Sequence, residues 1–469
     1  MDEYKLLVAG EMVVGEGIGI DVINPANESV LARVSTASEA QLEQAVAAAR
    51  YAYTSWSSTT LAERQGKLRQ LVDLIKTNAD SLAELLVQEQ GKPLADANVE
   101  LTFAEVFGDY YASAALENQV LVDDDVQRVE LVRKPLGVVA AIMPWNFPFV
   151  QAVYKLLPAL LMGNTVVLKP SPMTPLTTLR LGELAYQVFP AGVVNVLADD
   201  NNLGPLITAH PDIAKVSFTG STPTGRKIMA SSAATLKRLT LELGGNDAAI
   251  VLDDADPKEV APGIFATAFM NSGQVCAALK RLYVHESLYD EMCEEIAKLA
   301  QNAVVGDGMD PRSEFGPIQN RAQFEKVCAY IEDAREHGTI IAGGEIPDGP
   351  GFYVPLTVVR DIGNGTRVVD EEPFGPILPI IKYSEIGQAV AMANDSEFGL
   401  GGSVWSSNFQ RAAAVAARLE CGSAWVNQHA AFAPNVPFPS AKQSGVGVEW
   451  GLEGIEEYTR LQALNIAKQ

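Results

Sequence analysis

Along the first third of the chain, apolar residues recur at helical spacing. In "SEAQLEQAVAAARYAYTSW", Leu42, Val46 and Ala49 fall on one face. Ser38 opens this stretch and Gln41 follows three residues on, the arrangement of a capping box. "AERQGKLRQLVDLIKTNADSLAELLVQEQGKP" continues the pattern, with Leu68, Leu71 and Ile75 on one stripe. Gly91-Lys92-Pro93 ends it, because glycine and proline together terminate a helix. From about Leu136 the pattern changes. Short runs rich in Val and Ile ("GVVAAIMP", "TVVLKP", "VVNVLA", "AKVSFTG", "AAIVLDD") are separated by helix-length segments. Such runs predict buried parallel strands. A second series follows Cys276: "RLYVHE", "TIIAGG", "FYVPLTVV", "ILPIIKY", "GSVWS" and "GSAWVN". Two series predict two α/β domains.

Two stretches fall outside both series. "VLVDDDVQRVELVRKP", residues 120–135, alternates around an acidic turn and predicts a hairpin. The tail, "EEYTRLQALNIAKQ", is strand-like near its end. Exposed strands present unpaired backbone groups, so both are candidates for an assembly surface. The chain shows no internal repeat or low-complexity tract.

Composition narrows the class. The chain has 469 residues, 48% hydrophobic and 20% charged, ample for large cores without staples. Cys276, Cys293, Cys328 and Cys421 show no repeated spacing, so neither a disulfide framework nor a zinc site is expected, and a reducing cytosol fits. A net charge of −23 with no basic run argues against nucleic acid as a partner. The opening "MDEYKLLVAGEMVVGEG" has neither a secretory nor a transit-peptide pattern. The most apolar stretches are broken by Pro or Gly before reaching the roughly 18 residues of a membrane helix. A cytoplasmic protein without membrane contact is expected.

Candidate chemistry clusters at predicted strand ends, where α/β proteins place ligands. "PWNFP" follows one strand, "KPSP" another, "FTGSTPTG" a third, and "LELGG" precedes a fourth. The third carries Gly220, Ser221 and Gly225 before a helix, either an ordinary turn or a phosphate-compatible loop. Glu242, beside Gly244-Gly245, is either a solvated turn residue or a general base. Asn146, between Trp145 and Phe147, is structural or an oxyanion donor. Lys155 lies in an apolar context and either snorkels or functions. Cys276 closes "NSGQVC", as a packing residue or a nucleophile. Together they form a kit for nucleophilic attack on a carbonyl with a bound cofactor.

The ordered series "PWNFP", "GNTVVLKPS", "FTGS", "LELGGN", "NSGQVC", "EEPFGP" and "GLGGSVWS" resembles the aldehyde dehydrogenase superfamily over nearly the whole chain. The resemblance implies a doubly wound cofactor-binding domain, a related α/β catalytic domain and a small β oligomerisation element. The corresponding segments are residues 1–117 with 136–244, residues 245–445, and residues 118–135 with 446–469. It also implies a homodimer or homotetramer. By position, Cys276 matches the nucleophile, Glu242 the general base, Asn146 the oxyanion amide and Lys155 a lysine that helps proton transfer. Lys169 with Ser171 and Pro172 matches the adenosine-ribose contact, and Ser221 with Gly220 and Gly225 the pyrophosphate contact. Trp145, Leu243, Glu372 and Phe374 match the rest of the NAD(P)+ site, Glu372 as the clamp on the nicotinamide ribose. No metal is implied. The activity implied is oxidation of an aldehyde to its acid through a cysteine thioester that water hydrolyses. The alternatives are transfer of the acyl group to CoA, against which Glu242 speaks, and a non-catalytic protein on the same fold.

Two departures stand out. Members that use NAD alone usually carry glutamate where Pro172 stands here, which leaves NAD+ or NADP+ open. "PFPSAKQSGVGVE", residues 437–449, replaces a glycine pair and an arginine of the usual motif. By position, the substrate tunnel takes Phe147, Val150, Gln151, Tyr154 and Met270. Val275, Ala277, Phe432 and Phe438 complete it, with no Arg or Lys. Such a lining suits an aromatic or medium-chain aliphatic aldehyde and disfavours a second anionic group.

Overall fold

The computed structural model describes residues 4–468. Five parallel strands form the centre of an eight-stranded sheet: Val138–Ile142, Thr165–Lys169, Val194–Val196, Ile213–Thr219 and Arg238–Glu242. Numbered in chain order, they lie side by side as 3-2-1-4-5, the order of a doubly wound nucleotide-binding sheet. Their residues are almost all buried, which explains why each reads as an unbroken apolar run. All five carboxyl ends point to one edge, and the loops that follow carry "PWNFP", "KPSP", "FTGS" and "LELGG" to it.

The tetrapeptide 243–246 joins this sheet to a second one. The second sheet has seven strands, in the order Thr339–Ala342, Thr357–Arg360, Ile377–Tyr383, Leu279–His285, Asp247–Val251, Gly401–Trp405 and Ser423–Val426. All but the first pairing are parallel. Cys276 lies just before Leu279–His285, at the amino ends of these strands. The carboxyl edge of the first sheet therefore meets the amino edge of the second. The two-sheet α/β architecture expected from the two strand series is the one observed.

Several local readings change. The first third is not helical from its start. Leu6–Val8 and Glu11–Val13 form one edge of the first sheet, and Gly19–Ile23 pairs with Val30–Ser35. The last three are short and only partly buried, and Leu6–Val8, though buried, has only three residues, so they carry little period-2 signal. The long helical stretch divides at Asn78 into Leu61–Thr77 and Ala79–Gln90, and Gly91, at φ +98°, ends the second part as expected. Ser38 and Gln41 do form a capping box on Glu39–Trp56. "FYVPLTVV" is a strand only from Thr357, because Pro355 removes a ladder donor.

The expected hairpin forms from Gln119–Asp123 and Gln127–Pro135, and Thr459–Ala467 pairs along the whole second strand. The stretch 445–449 goes elsewhere. Gly445–Val446 pairs with Arg238–Glu242 at the edge of the first sheet, and Val448–Glu449 pairs with Phe438–Pro439. Close backbone approach decides this: a side chain on Gly445 would strike the Leu241 carbonyl. No helix among the described residues is long and apolar enough to cross a membrane.

Candidate active site

Cys276 sits on a loop that the backbone does not adopt freely. Asn271, Ser272 and Gly273 stand in succession at φ 49°, 55° and 72°. A non-glycine residue pays about 1–2 kcal/mol for that conformation, so the surroundings must impose it. They do so through hydrogen bonds. Ser272 Oγ donates to the Gly316 carbonyl at 2.7 Å, and Gln274 Nε2 to the Asn271 carbonyl at 2.9 Å. Gln319 N–H donates to Gln274 Oε1 at 2.9 Å, and Lys280 Nζ to the Gly273 carbonyl. Glycine is required at 273, where a Cβ would come within 2.1 Å of the Gly375 carbonyl oxygen.

The loop brings Cys276 into a cavity of about 240 Å³. Glu242 lines the same cavity, at the end of its strand and only 4% exposed. Neither of its oxygens has a hydrogen-bond partner. Burial holds its pKa well above the usual carboxylate range, Glu449 adds to this and Lys155 opposes it. The Cys276 thiol is pushed up to about 12, by burial first and then by Glu242, Glu372 and Asp247. In this state the sulfur carries its proton.

Asn146 is buried beside the loop and spends one of its two amide N–H groups on the Gln274 carbonyl, at 2.9 Å. Its own carbonyl accepts from Asn271 Nδ2 at 3.1 Å and Lys92 Nζ at 3.0 Å. Lys155 lies behind the cavity, fully buried, 2.5 Å from Glu449 and 3.1 Å from Ser217 Oγ.

Of the predicted tunnel residues, Phe147, Val150, Gln151, Tyr154, Met270, Val275, Phe432 and Phe438 line this one cavity. Ala277 does not. It packs into the core, and its carbonyl accepts from His429 at 3.1 Å. The expectation of a lining without Lys or Arg is also corrected: Lys92 lines it, neutralised by Glu100 at 2.6 Å. The sequence reading missed Glu449 and Trp450. Trp450 stacks on Phe438 at 4.8 Å and meets Phe107, Tyr154 and Phe432 edge-on or tilted within 5.6 Å. "PFPSAKQSGVGVE" marked this region, but Glu449 lies 294 residues from Lys155, and nothing local pairs them.

The predicted cofactor residues gather along the carboxyl edge of the first sheet and across from it. Ser221 precedes the helix Thr222–Ser232 without its side chain capping the helix, which leaves first-turn N–H groups without that acceptor. Gly225 is packed closely by Leu243, where a Cβ would lie within 2.6 Å of the leucine. Lys169 is buried and paired with Asp199 at 2.6 Å, while Ser171 Oγ accepts from Met173 N–H at 3.3 Å in the turn that contains Pro172. The Gly220 N–H donates to the Glu242 carbonyl at 3.0 Å, tying the two loops together. On the far side, Glu372 accepts from the Gly245 N–H at 3.0 Å and its pKa is raised to about 7 by burial. Trp145 and Phe374 pack edge to face at 5.3 Å.

A 3-2-1-4-5 sheet with an open helix N-terminus at its switch point defines a class, a doubly wound nucleotide-binding protein, and one cavity beside it holds both a thiol and an unpartnered carboxylate. Comparison with known proteins makes the class specific. The model of the aldehyde dehydrogenase family matches residues 13–464. A mitochondrial aldehyde dehydrogenase of Leishmania tarentolae is 39% identical, over 100% of this chain and 95% of its own length. A phenylacetaldehyde dehydrogenase of Pseudomonas fluorescens is 38% identical over 99% and 96%. The NAD+ complex of an aldehyde dehydrogenase from Bacillus cereus superposes with a TM-score of 0.97 at 36% identity, covering 100% of this chain and 97% of that one. The chain belongs to the aldehyde dehydrogenase family and is an enzyme of that class.

Proposed function

We propose that this enzyme oxidises an aromatic or medium-chain aliphatic aldehyde to its carboxylic acid with NAD+. The observation that carries the reading is Glu242: a buried carboxylate with both oxygens free, sharing one apolar cavity with the Cys276 thiol. Such a group has no structural partner to serve and is held ready to take a proton. The cavity walls are aromatic, and its one lysine is neutralised, so a second anionic group on the substrate would be buried unpaired.

The residues of the sheet edge fit a dinucleotide. Lys169 would meet the adenosine ribose beside Ser171 and Pro172, the Gly220-Ser221 loop with Gly225 the pyrophosphate, and Glu372 the nicotinamide ribose. Leu243, Trp145 and Phe374 would flank the rest. Asp199 already neutralises Lys169, which weakens its pull on a 2′-phosphate and supports NAD+ over NADP+. When bound, the nicotinamide accepts hydride from the substrate carbon.

Cys276 Sγ gives up its proton to water as it bonds to the aldehyde carbon, and the carbonyl oxygen becomes an alkoxide. The second Nδ2 proton of Asn146 and the Cys276 backbone N–H hold that oxygen, each such donor being worth about 2.7–4 kcal/mol. Loss of hydride leaves a thioester on Cys276. Glu242 then takes a proton from water, the hydroxide attacks the thioester carbon, and the acid leaves as Glu242 returns that proton to the expelled Cys276 thiolate. Lys155 and Glu449 lie behind Glu242 and tune its proton affinity. We assign residues 1–117 and 136–244 to cofactor binding, and the three-stranded sheet to assembly as a homodimer or homotetramer. Four unpaired cysteines support a reducing, cytoplasmic setting.

The test mixes the enzyme with benzaldehyde, hexanal or succinic semialdehyde without CoA, NAD+ and NADP+ in parallel, and follows reduced-nicotinamide absorbance. Turnover of the first two with NAD+ is expected, with Cys276→Ala abolishing it. Turnover of succinic semialdehyde alone would overturn the substrate reading, and full activity of Cys276→Ala the mechanism.

A further inference from the structure

Two buried charges beside the site take no part in the chemistry above. Lys92 follows the helix Ala79–Gln90, and Glu100 lies on the helix Leu94–Ser113. Both side chains are wholly shielded from solvent, with Lys92 Nζ 2.6 Å from Glu100 Oε2. Removing two charges from water is costly, and apolar residues of similar volume commonly serve stability as well. What the pair's other contacts hold explains it better than stability does.

Those contacts grip one short segment from both ends. Lys92 Nζ donates to the Asn146 carbonyl at 3.0 Å and lies 3.8 Å from the centre of the Phe147 ring. Glu100 Oε1 accepts from the backbone N–H groups of Phe149 and Val150, at 3.0 and 3.1 Å. These open the helix Pro148–Leu161, whose N-cap residue Phe147 supplies no side-chain acceptor. Glu100 is therefore that helix's cap, brought from another helix. The Asn146 carbonyl also accepts from Asn271, so the same peptide is tied to the loop that carries Cys276.

We propose that Lys92 and Glu100 are positioning residues for the Asn146 amide. Lys92 fixes the carbonyl of residue 146, Glu100 fixes the helix that follows, and between them the Asn146 side chain is aimed at the oxygen of the Cys276 adduct. The inference rests on the oxyanion role of Asn146. An apolar pair would fill the same space but could hold neither the carbonyl nor the two N–H groups. Misplacing a group in an active site by about 1 Å costs on the order of a hundredfold in rate, which is the advantage the pair secures.

The test is Lys92→Met with Glu100→Gln, which keeps the volume and the cap acceptor but removes both charges and the clamp on the carbonyl. The expected result is an unchanged melting temperature and NAD+ KM. kcat and the first-turnover rate of nicotinamide reduction should fall about ten- to a hundredfold. Added to Asn146→Ala, the pair of changes should cost little more, because the group they aim is gone. Full kcat in the folded double variant would overturn the proposal, as would an undiminished further loss on Asn146→Ala. If Asn146→Ala by itself runs at the parent rate, the oxyanion reading fails and this one with it. Loss in Asn146→Ala with none in the double variant overturns this one alone. Should the double variant not fold, Lys92→Gln with Glu100→Gln keeps a hydrogen-bonded neutral pair but is too short to reach the carbonyl. The same fall in kcat is expected there, and a full rate again overturns the proposal.

Discussion

Glu242 shows how much one carboxylate's surroundings decide. In the sequence it is a glutamate before two glycines, as consistent with a solvated turn as with catalysis. In the fold it is buried without a partner, and its pKa rises for that reason first. A base with a raised pKa reaches its ionised, working form only as pH increases. kcat is therefore expected to climb with pH above the ordinary carboxylate range, measured with a saturating aldehyde. Glu242→Gln should flatten that limb and slow acid release while sparing the first-turnover burst; an unchanged profile would sink the assignment. The same shift has a stability consequence of definite sign. Protonated Glu242 stabilises the fold fully below its ordinary value of 4.5, and that contribution is lost as pH rises through the raised folded-state value.

At the scale of elements, the catalytic loop depends on three left-handed residues and the side chains that hold them. Gly273→Ala tests this directly. It places a Cβ against the Gly375 carbonyl at a φ of 72°. A loss of about 1–3 kcal/mol in chemical denaturation is expected, with a larger proportional fall in kcat, since the loop sets where Cys276 Sγ lies. Stability and kcat both at parent levels would show that the loop absorbs the change. The helices and strands around the loop were mostly legible from periodicity, because the parallel strands are buried on both faces and the amphipathic helices on one. The loop was not, since its conformation comes from Gln319, Gly316 and Gly375, which lie some forty to a hundred residues further along the chain.

For the whole molecule, the three-stranded sheet stands apart from both large ones and exposes Val120, Leu121, Leu461, Leu464 and Ile466. Exposed strand edges with apolar side chains seek a partner. Sedimentation should give a dimer or larger at micromolar concentration. Leu464→Glu together with Leu121→Glu should shift it toward monomer, and a monomeric parent would refute the assembly role of this sheet.

Periodicity alone determined the two α/β series, the hairpin and the strand-like tail, because burial on one or both faces leaves its trace in neighbouring residues. The ordered motifs determined the family, because each keeps its chemistry within a few consecutive positions. Only the tertiary structure decided which distant residues complete the site. Glu449 and Trp450 enter the cavity, Lys92 lines it beside its counter-ion Glu100, and Ala277 turns into the core. Those outcomes depend on contacts between segments up to nearly three hundred residues apart, where charge pairing and packing carry no local signature.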